Sequence, residues 1–360
     1  MKRSTARFAR FCKPQETSNS RTEGKDSISR DRIRKEKGTV MKYANISHVD
    51  KPVSRIIYGT AIHPFNNSGE GIMELLDAML DLGVTTLDTA RVYGDSEESL
   101  GKWLHARNNR NEVVLLSKCG HHDTETFRKR VNRKEMFEDL ETSLRLLQTD
   151  YIDIYILHRD DPDVPVGEIV EIFNDMHKQG KIGAFGGSNW TWQRIQEAND
   201  YAAAHGLIPF EVSSPNFSLA RQVVDPYGGG CISISGADAE EAQSWYRENQ
   251  MAVVSYSSLA HGFLSGRLDG KDETSGSRIL DEFGLKGFDY PENYERLRRC
   301  EELAAQKGVT VPQIAVAWLY HQGLNEFAVI STGNPGRMQS NIDALDIEIT
   351  KEENDYLNLK

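Results

Sequence analysis

Several side chains capable of acid–base chemistry stand at the ends of short apolar runs. The run 85–88 ends in Asp88 and leads on to Tyr93. The run 113–117 is followed by Lys118, 152–157 by His158, and 182–185 by Ser188 and Asn189. A tyrosine at its ordinary pKa of about 10 is a poor proton donor or acceptor near neutrality, and a neighbouring ammonium draws that pKa down. A buried lysine beside a carboxylate stays charged. Asp88 holding Lys118, and Lys118 lowering Tyr93, therefore makes a proton donor that can be regenerated. A neutral His158 adds a hydrogen bond that orients a carbonyl oxygen. Together they suit reduction of a carbonyl, where negative charge grows on oxygen as hydride arrives. No Ser-His-Asp nucleophile arrangement stands beside them.

Such a set works only if the strand ends converge on one face. From Met41 onward, short β-rich runs alternate with stretches of helical period. Strands are expected at 55–58, 85–88, 113–117, 152–157, 182–185, 210–213, 252–255 and 327–330. Helices are expected at 71–82, 96–105, 133–147, 166–179, 191–205, 239–249, 293–307 and 312–322. In the first helix Met73, Leu76, Met79 and Leu80 fall on one face. Eight β-α units predict an α/β chain folded as a closed (β/α)8 TIM barrel, with residues 43–53 forming a small hairpin ahead of it. Two long connections, 220–238 and 259–291, follow strands. Both are expected over the C-terminal face, where barrel sites sit.

The 360 residues suit one barrel of about 250 residues with extensions. Residues 1–40 differ from the rest. Twelve Lys/Arg against five Asp/Glu give them a net charge of +7, leaving −18 for the other 320 residues of a chain whose total is −11. With little apolar periodicity they are expected to be a disordered basic extension, and 41–360 the catalytic barrel. Three origins stay open for the extension: a targeting peptide, a basic tail, or a stretch upstream of a true start at Met41. The acidic balance argues against nucleic-acid binding. No run approaches the ~18 apolar residues of a membrane span. Cys12, Cys119, Cys231 and Cys300 lack CxxC spacing, which points to a reducing, cytoplasmic setting without disulfides or cysteine-bound zinc.

At these motifs the chain resembles the aldo-keto reductase superfamily. The resemblance is carried by Gly59-Thr60-Ala61, by Leu87-Asp88-Thr89-Ala90-Arg91-Val92-Tyr93-Gly94, by Ser117-Lys118 and by Leu157-His158-Arg159. It continues through Gly180–Gly183 into Gly187-Ser188-Asn189, through Ser255–Arg267, and through Asn334-Pro335-Gly336-Arg337 to Asn341. It spans about residues 50–345. It implies a (β/α)8 barrel, a nicotinamide cofactor, and a catalytic tetrad of Asp88, Tyr93, Lys118 and His158 with Tyr93 as general acid/base. Carried over by position, Gly59, Thr60 and Asp88 line the cofactor. Ser188 and Asn189 bind the carboxamide. Ser214 stands where the family commonly has Gln, and Phe217 where a tyrosine stacks on the nicotinamide. Tyr256, Ser257, Leu259, Gly262, Leu264, Gly266 and Arg267 belong to the loop around the pyrophosphate, where main-chain N–H groups suit phosphate oxygens. Arg337 and Asn341 take the adenosine end. An arginine there favours a 2′-phosphate, so NADP(H) is preferred to NAD(H).

Other signals are weaker. His121-His122-Asp123 lacks a third spaced ligand, so no metal is expected, although either histidine could line the substrate mouth. Cys119 reads as a packed thiol. The run Gly228–Gly230 is a flexible loop, not a dinucleotide fingerprint. His63, Trp190, Tyr227 and Trp245 are compatible with a sugar-like or polyol-like substrate. The function expected is an NADP(H)-dependent oxidoreductase interconverting a small-molecule carbonyl and an alcohol. The alternatives are a cofactor-binding regulatory subunit, and a lyase or epimerase that uses the nicotinamide transiently.

Overall fold

The computed structural model describes residues 39–360 apart from His63. The extension assigned to residues 1–40 lies outside the described residues up to position 38, as does His63. A short antiparallel hairpin pairs β1 (Tyr43–Ala44) with β2 (Val53–Ser54). Eight parallel strands follow: β3 (Ile56–Gly59), β4 (Thr86–Asp88), β5 (Val114–Cys119), β6 (Ile152–Leu157), β7 (Ile182–Ser188), β8 (Val212–Ser214), β9 (Ala252–Ser255) and β10 (Asn325–Ile330). They close in sequence order, with β10 hydrogen-bonded to both β9 and β3. This is the expected (β/α)8 barrel.

The helices between the strands are α1 (Ile72–Asp81), α2 (Ser96–Arg107), α3 (Arg133–Leu147), α4 (Val166–Lys178), α5 (Trp192–His205) and α6 (Glu240–Asn249). Beyond β9 come α7 (Gly276–Ile279), α8 (Glu282–Phe288), α9 (Pro291–Lys307) and α10 (Val311–Tyr320). After β10 come α11 (Pro335–Asp343) and α12 (Lys351–Leu357). Local chemistry sets several starts. Asn132 caps α3 by accepting the Glu135 N–H, and capping boxes of Thr310 with Gln313 and Thr350 with Glu353 open α10 and α12.

The strands read as continuous apolar runs because both of their faces are covered. Inside the barrel, Ile57, Leu116, Ile154, Ile156, Val254 and Phe327 pack with Ile46, Val49 and Val53 from around the hairpin. The hairpin thus seals the N-terminal end. Each such side chain contributes roughly 1.5–3 kcal/mol when fully buried. A filled interior leaves the opposite, C-terminal mouth as the place for a cleft.

The two long connections meet over that mouth. The Val223 N–H donates to the Gly287 carbonyl at 2.9 Å. Asn293 accepts from the Arg221 N–H and donates to the Arg221 carbonyl, both at 2.8 Å. The second connection is more regular than its composition suggested, since it holds α7 and α8. Asp281 caps α8 by accepting the Gly284 N–H at 2.7 Å. Among the described residues no helix is long and apolar enough to cross a membrane.

Candidate active site

Strand register brings the reactive side chains together. Asp88 is the last residue of β4 and pairs with Leu116 of β5, one turn of the pleat before Lys118. Lys118 in turn pairs with Ile156, two residues before His158. Tyr93 sits on the turn after β4, its N–H bonded to the Ala90 carbonyl at 3.1 Å. Gly94 makes that turn possible. It has φ +57°, and a Cβ there would stand 2.2 Å from the Asn66 carbonyl oxygen. The Lys118 ammonium donates to Asp88 Oδ1, to the Thr89 carbonyl at 3.0 Å and to Tyr93 Oη at 3.3 Å. The His158 ring meets Tyr93 edge-on at 5.7 Å and His121 at 4.8 Å between centroids.

Burial sets the protonation states here. Burial alone would strip the Lys118 ammonium of its proton, but the Asp88 carboxylate and Tyr93 outweigh it and hold its pKa above the ordinary lysine value. Burial also pushes the Tyr93 phenol up, and Lys118 pulls it back only in part. The net direction for Tyr93 is therefore upward, opposite to the lowering expected from the sequence, because desolvation exceeds the pull of one ammonium. His158 is driven well below the usual histidine range, first by burial and then by the Lys118 charge, and is neutral. Its Nδ1 is buried and makes no hydrogen bond within the described residues. A neutral imidazole, a protonated phenol and a paired ammonium can together give a proton to an oxygen and steady the charge left behind.

A second network adjoins the first. Ser188 Oγ donates to the Ser214 carbonyl at 2.8 Å, and the Asn189 N–H reaches the same oxygen at 3.2 Å. Asn189 has φ +62°, which turns its amide back toward the mouth. Its Nδ2 donates to the His158 carbonyl at 3.3 Å, and its Oδ1 accepts from the Tyr256 hydroxyl at 2.8 Å. Phe217 departs from the expectation of a stacking ring. It is fully enclosed and packs against Trp318 at 5.1 Å, so neither face reaches the cleft. Tyr256, partly buried and tied to Asn189, is the aromatic ring beside the mouth.

The remaining expected contacts divide in the same way. Thr60 is fully buried, and its hydroxyl donates to the Asp88 carbonyl at 2.8 Å and also bonds Ser96, so it braces the end of β4. Gly59 is covered by Ser331, whose hydroxyl donates to the Gly59 carbonyl at 2.8 Å. The Leu264 side chain is wholly enclosed. The loop after β9 carries left-handed backbone at Ser257, Ala260, His261, Gly262 and Gly266. Such alternation turns successive N–H groups into a concave, anion-seeking surface. Gly262 has φ +90°, a conformation that favours glycine, and the Arg267 guanidinium lies beside it. Arg337 is exposed on the first turn of α11, with no ion-pair partner among the described residues, and Asn341 is buried one turn further on. A basic side chain on the first turn of a helix fits a nucleotide phosphate.

Of the described residues linked to a sugar-like substrate, Tyr227 stands at the cleft and Trp190 and Trp245 do not. Trp190 is buried against Phe210 at 5.0 Å, and Trp245 stacks on Trp192 in the helical layer at 6.2 Å. Cys119 is a buried thiol. Sequence reasoning gave no role to Arg159, although its position directly after His158 was the available signal.

The chain is similar to several known proteins. The Aldo/keto reductase family matches residues 55–359. The aldo-keto reductase YhdN of Bacillus subtilis (strain 168) is 28% identical over 312 residues, covering 83% of this chain and 87% of its own length. An aryl-alcohol dehydrogenase of Pestalotiopsis microspora, GME11368, is 27% identical over 293 residues, covering 79% of this chain and 71% of its own. The solved structure of the glycerol dehydrogenase AKR11B4 from Gluconobacter oxydans superposes with a TM-score of 0.68. At 23% identity it covers 88% of this chain and 93% of that one, a likeness of fold.

Proposed function

The chain belongs to the aldo/keto reductase family, and from that premise we propose that it is an NADP(H)-dependent oxidoreductase interconverting a carbonyl and an alcohol. The observation that carries this reading is the cluster of Asp88, Lys118, Tyr93 and His158 at one end of the barrel. A reduced nicotinamide, when bound, supplies the hydride. Tyr93 is the general acid. Its phenol keeps its proton until negative charge builds on the substrate oxygen, then transfers it. Lys118, fixed by Asp88, stabilises the phenolate that remains. His158, neutral, hydrogen-bonds the same oxygen and fixes its direction. In the oxidative direction Tyr93 takes the alcohol proton.

Ser188 and Asn189 would hold the carboxamide, and Tyr256 would offer the ring face assigned by position to Phe217. The loop 257–267 would cradle the pyrophosphate. Arg337 supports the preference for NADP(H) over NAD(H), since a guanidinium pairs with a 2′-phosphate by two parallel hydrogen bonds. The direct test is a fluorescence titration with NADPH and NADH in parallel, followed by a carbonyl screen. Tight NADPH and weak NADH binding with turnover of a carbonyl is the expected result. Binding of neither would overturn the reading.

A further inference from the structure

Near the catalytic cluster lies a cavity of about 370 Å³, open to solvent, whose Tyr227 hydroxyl bonds His261 of the loop after β9 at 2.7 Å. Its wall includes His121, Phe127, Arg159, Tyr227, Phe283 and Lys286. One wall residue, His121, packs on His158 at 4.8 Å between centroids, and another, Arg159, follows His158 in the chain.

Two features of this wall ask for a particular partner. The first is charge. Arg159 is largely buried, yet no carboxylate lies within ion-pair distance of it among the described residues. Its Nη1 donates to the Cys231 thiol, and its Nε is buried with no partner among the described residues. Asp225, whose charge reaches Arg159, already accepts the N–H groups of Tyr227 and Cys231 at 2.8 and 2.9 Å. Lys286, at the rim, is exposed and likewise forms no ion pair among the described residues. A buried guanidinium with unused donors is costly unless a ligand completes it. The second feature is aromatic surface. Tyr227 and Phe283 stack at 5.2 Å, and Phe127 stacks on His122 at 5.3 Å. Phe127 is 66% exposed and has φ +57°, a conformation unfavourable for a bulky residue.

The 2′-phosphate assigned to Arg337 does not account for this charge. Arg337 is on the helix after β10, while Arg159 follows β6. In the closed order β10-β3-β4-β5-β6-β7-β8-β9 those strands are four apart in either direction, on opposite sides of the barrel.

We propose that the substrate of this enzyme is a carboxylate-bearing carbonyl compound with a flat aromatic or similarly apolar body. Arg159 pairs with the carboxylate, Lys286 attracts it at the rim, and Tyr227, Phe283 and Phe127 enclose the body. This rests on the oxidoreductase reading, so the decisive measurement does not require turnover. Benzoate and its neutral analogue benzamide are titrated calorimetrically into the full chain, with and without NADP⁺. Benzoate is expected to bind at least tenfold more tightly, and to weaken between 50 and 500 mM salt while benzamide does not. Arg159→Gln should erase the preference and Arg159→Lys restore part of it, with circular dichroism checking that each variant folds. The salt arm uses the unaltered protein and stands even where Arg159→Gln fails to fold. Phenylglyoxylate should then exceed its methyl ester in kcat/KM, chiefly through KM. Equal binding of acid and amide would overturn the proposal. So would a preference that survives Arg159→Gln, which would place the anion on Tyr93 and His158. Selective benzoate binding without any cofactor-driven turnover would keep the anion site and sink the oxidoreductase reading.

Discussion

The Lys118 ammonium lies 3.3 Å from the Tyr93 hydroxyl, and 4.8 Å from the centroid of the same ring, while its strongest contact is the Asp88 carboxylate. The lysine is thus held by one neighbour and aimed at the other. This makes Asp88 a positioning group and Lys118 the charge that Tyr93 meets on losing its proton.

Removing the phenol should therefore separate chemistry from binding. Tyr93→Phe is expected to lower kcat by about 10²–10⁴-fold, the range for loss of a positioned acid, with NADPH affinity within about twofold of the parent. Lys118→Met should lower kcat similarly and also destabilise the fold by about 3–5 kcal/mol, because it leaves Asp88 buried without its partner. Single-turnover rates and thermal melts read the two effects apart. Full activity in Tyr93→Phe would falsify the assignment.

The pH dependence follows from the same burial. His158 is neutral well below the usual histidine range, and Tyr93 keeps its proton above 10. Carbonyl reduction should then show a kcat/KM that is flat from about pH 6 to pH 9, with no histidine inflection between 6 and 7. Alcohol oxidation needs the unprotonated phenol, so its rate should climb about tenfold per pH unit below the Tyr93 pKa. Initial-rate profiles in both directions decide this. A step near pH 6.5 in the reductive profile would mean that His158 titrates as an ordinary exposed histidine.

Cofactor choice is assigned to Arg337, exposed and unpaired on the first turn of α11. Arg337→Ala should weaken NADPH binding by about 10–100-fold, the loss of one charged pair of about 1.5–3 kcal/mol, and leave NADH within about threefold. Fluorescence titration gives both constants. Equal weakening of the two would remove Arg337 from the 2′-phosphate.

Much of this was legible in the sequence because alternation of strand and helix has a strong local signature. The strands 152–157 and 252–255 and the helix 133–147 coincide with β6, β9 and α3 to the residue. The end of β7 was not legible. The strand was expected at 182–185, yet β7 runs on through Gly186 and Gly187 to Ser188. A Cβ at Gly186 would stand 1.7 Å from the Val212 carbonyl, so glycine there serves close strand approach rather than a turn. Phe217 shows the other limit. The family resemblance implied a stacking ring at that position, but only packing reveals that Trp318 covers it and that Tyr256 stands at the mouth. The net direction of the Tyr93 pKa was hidden for a related reason, since the sequence names the charged neighbour and not the depth of burial.

The last prediction concerns stability. Glu326, near the start of β10, is fully buried. It accepts a hydrogen bond from Ser255 on Oε1 and has no partner for Oε2 among the described residues. Burial pushes its carboxyl up to about 8, from 4.5 when free. Between those values the unfolded chain has lost this proton and the folded chain retains it. Stability must therefore fall as pH rises through that window, with the loss complete above about 8. Glu326→Gln keeps an oxygen for Ser255 and carries no titrating proton. Its melting temperature should match or fall slightly below the parent at pH 5, where its amide nitrogen replaces an unpartnered oxygen, and exceed the parent at pH 8.5 by several degrees. Thermal melts across pH 5–8.5 test this, and a difference between variant and parent that does not change with pH would show that Glu326 ionises normally in the fold.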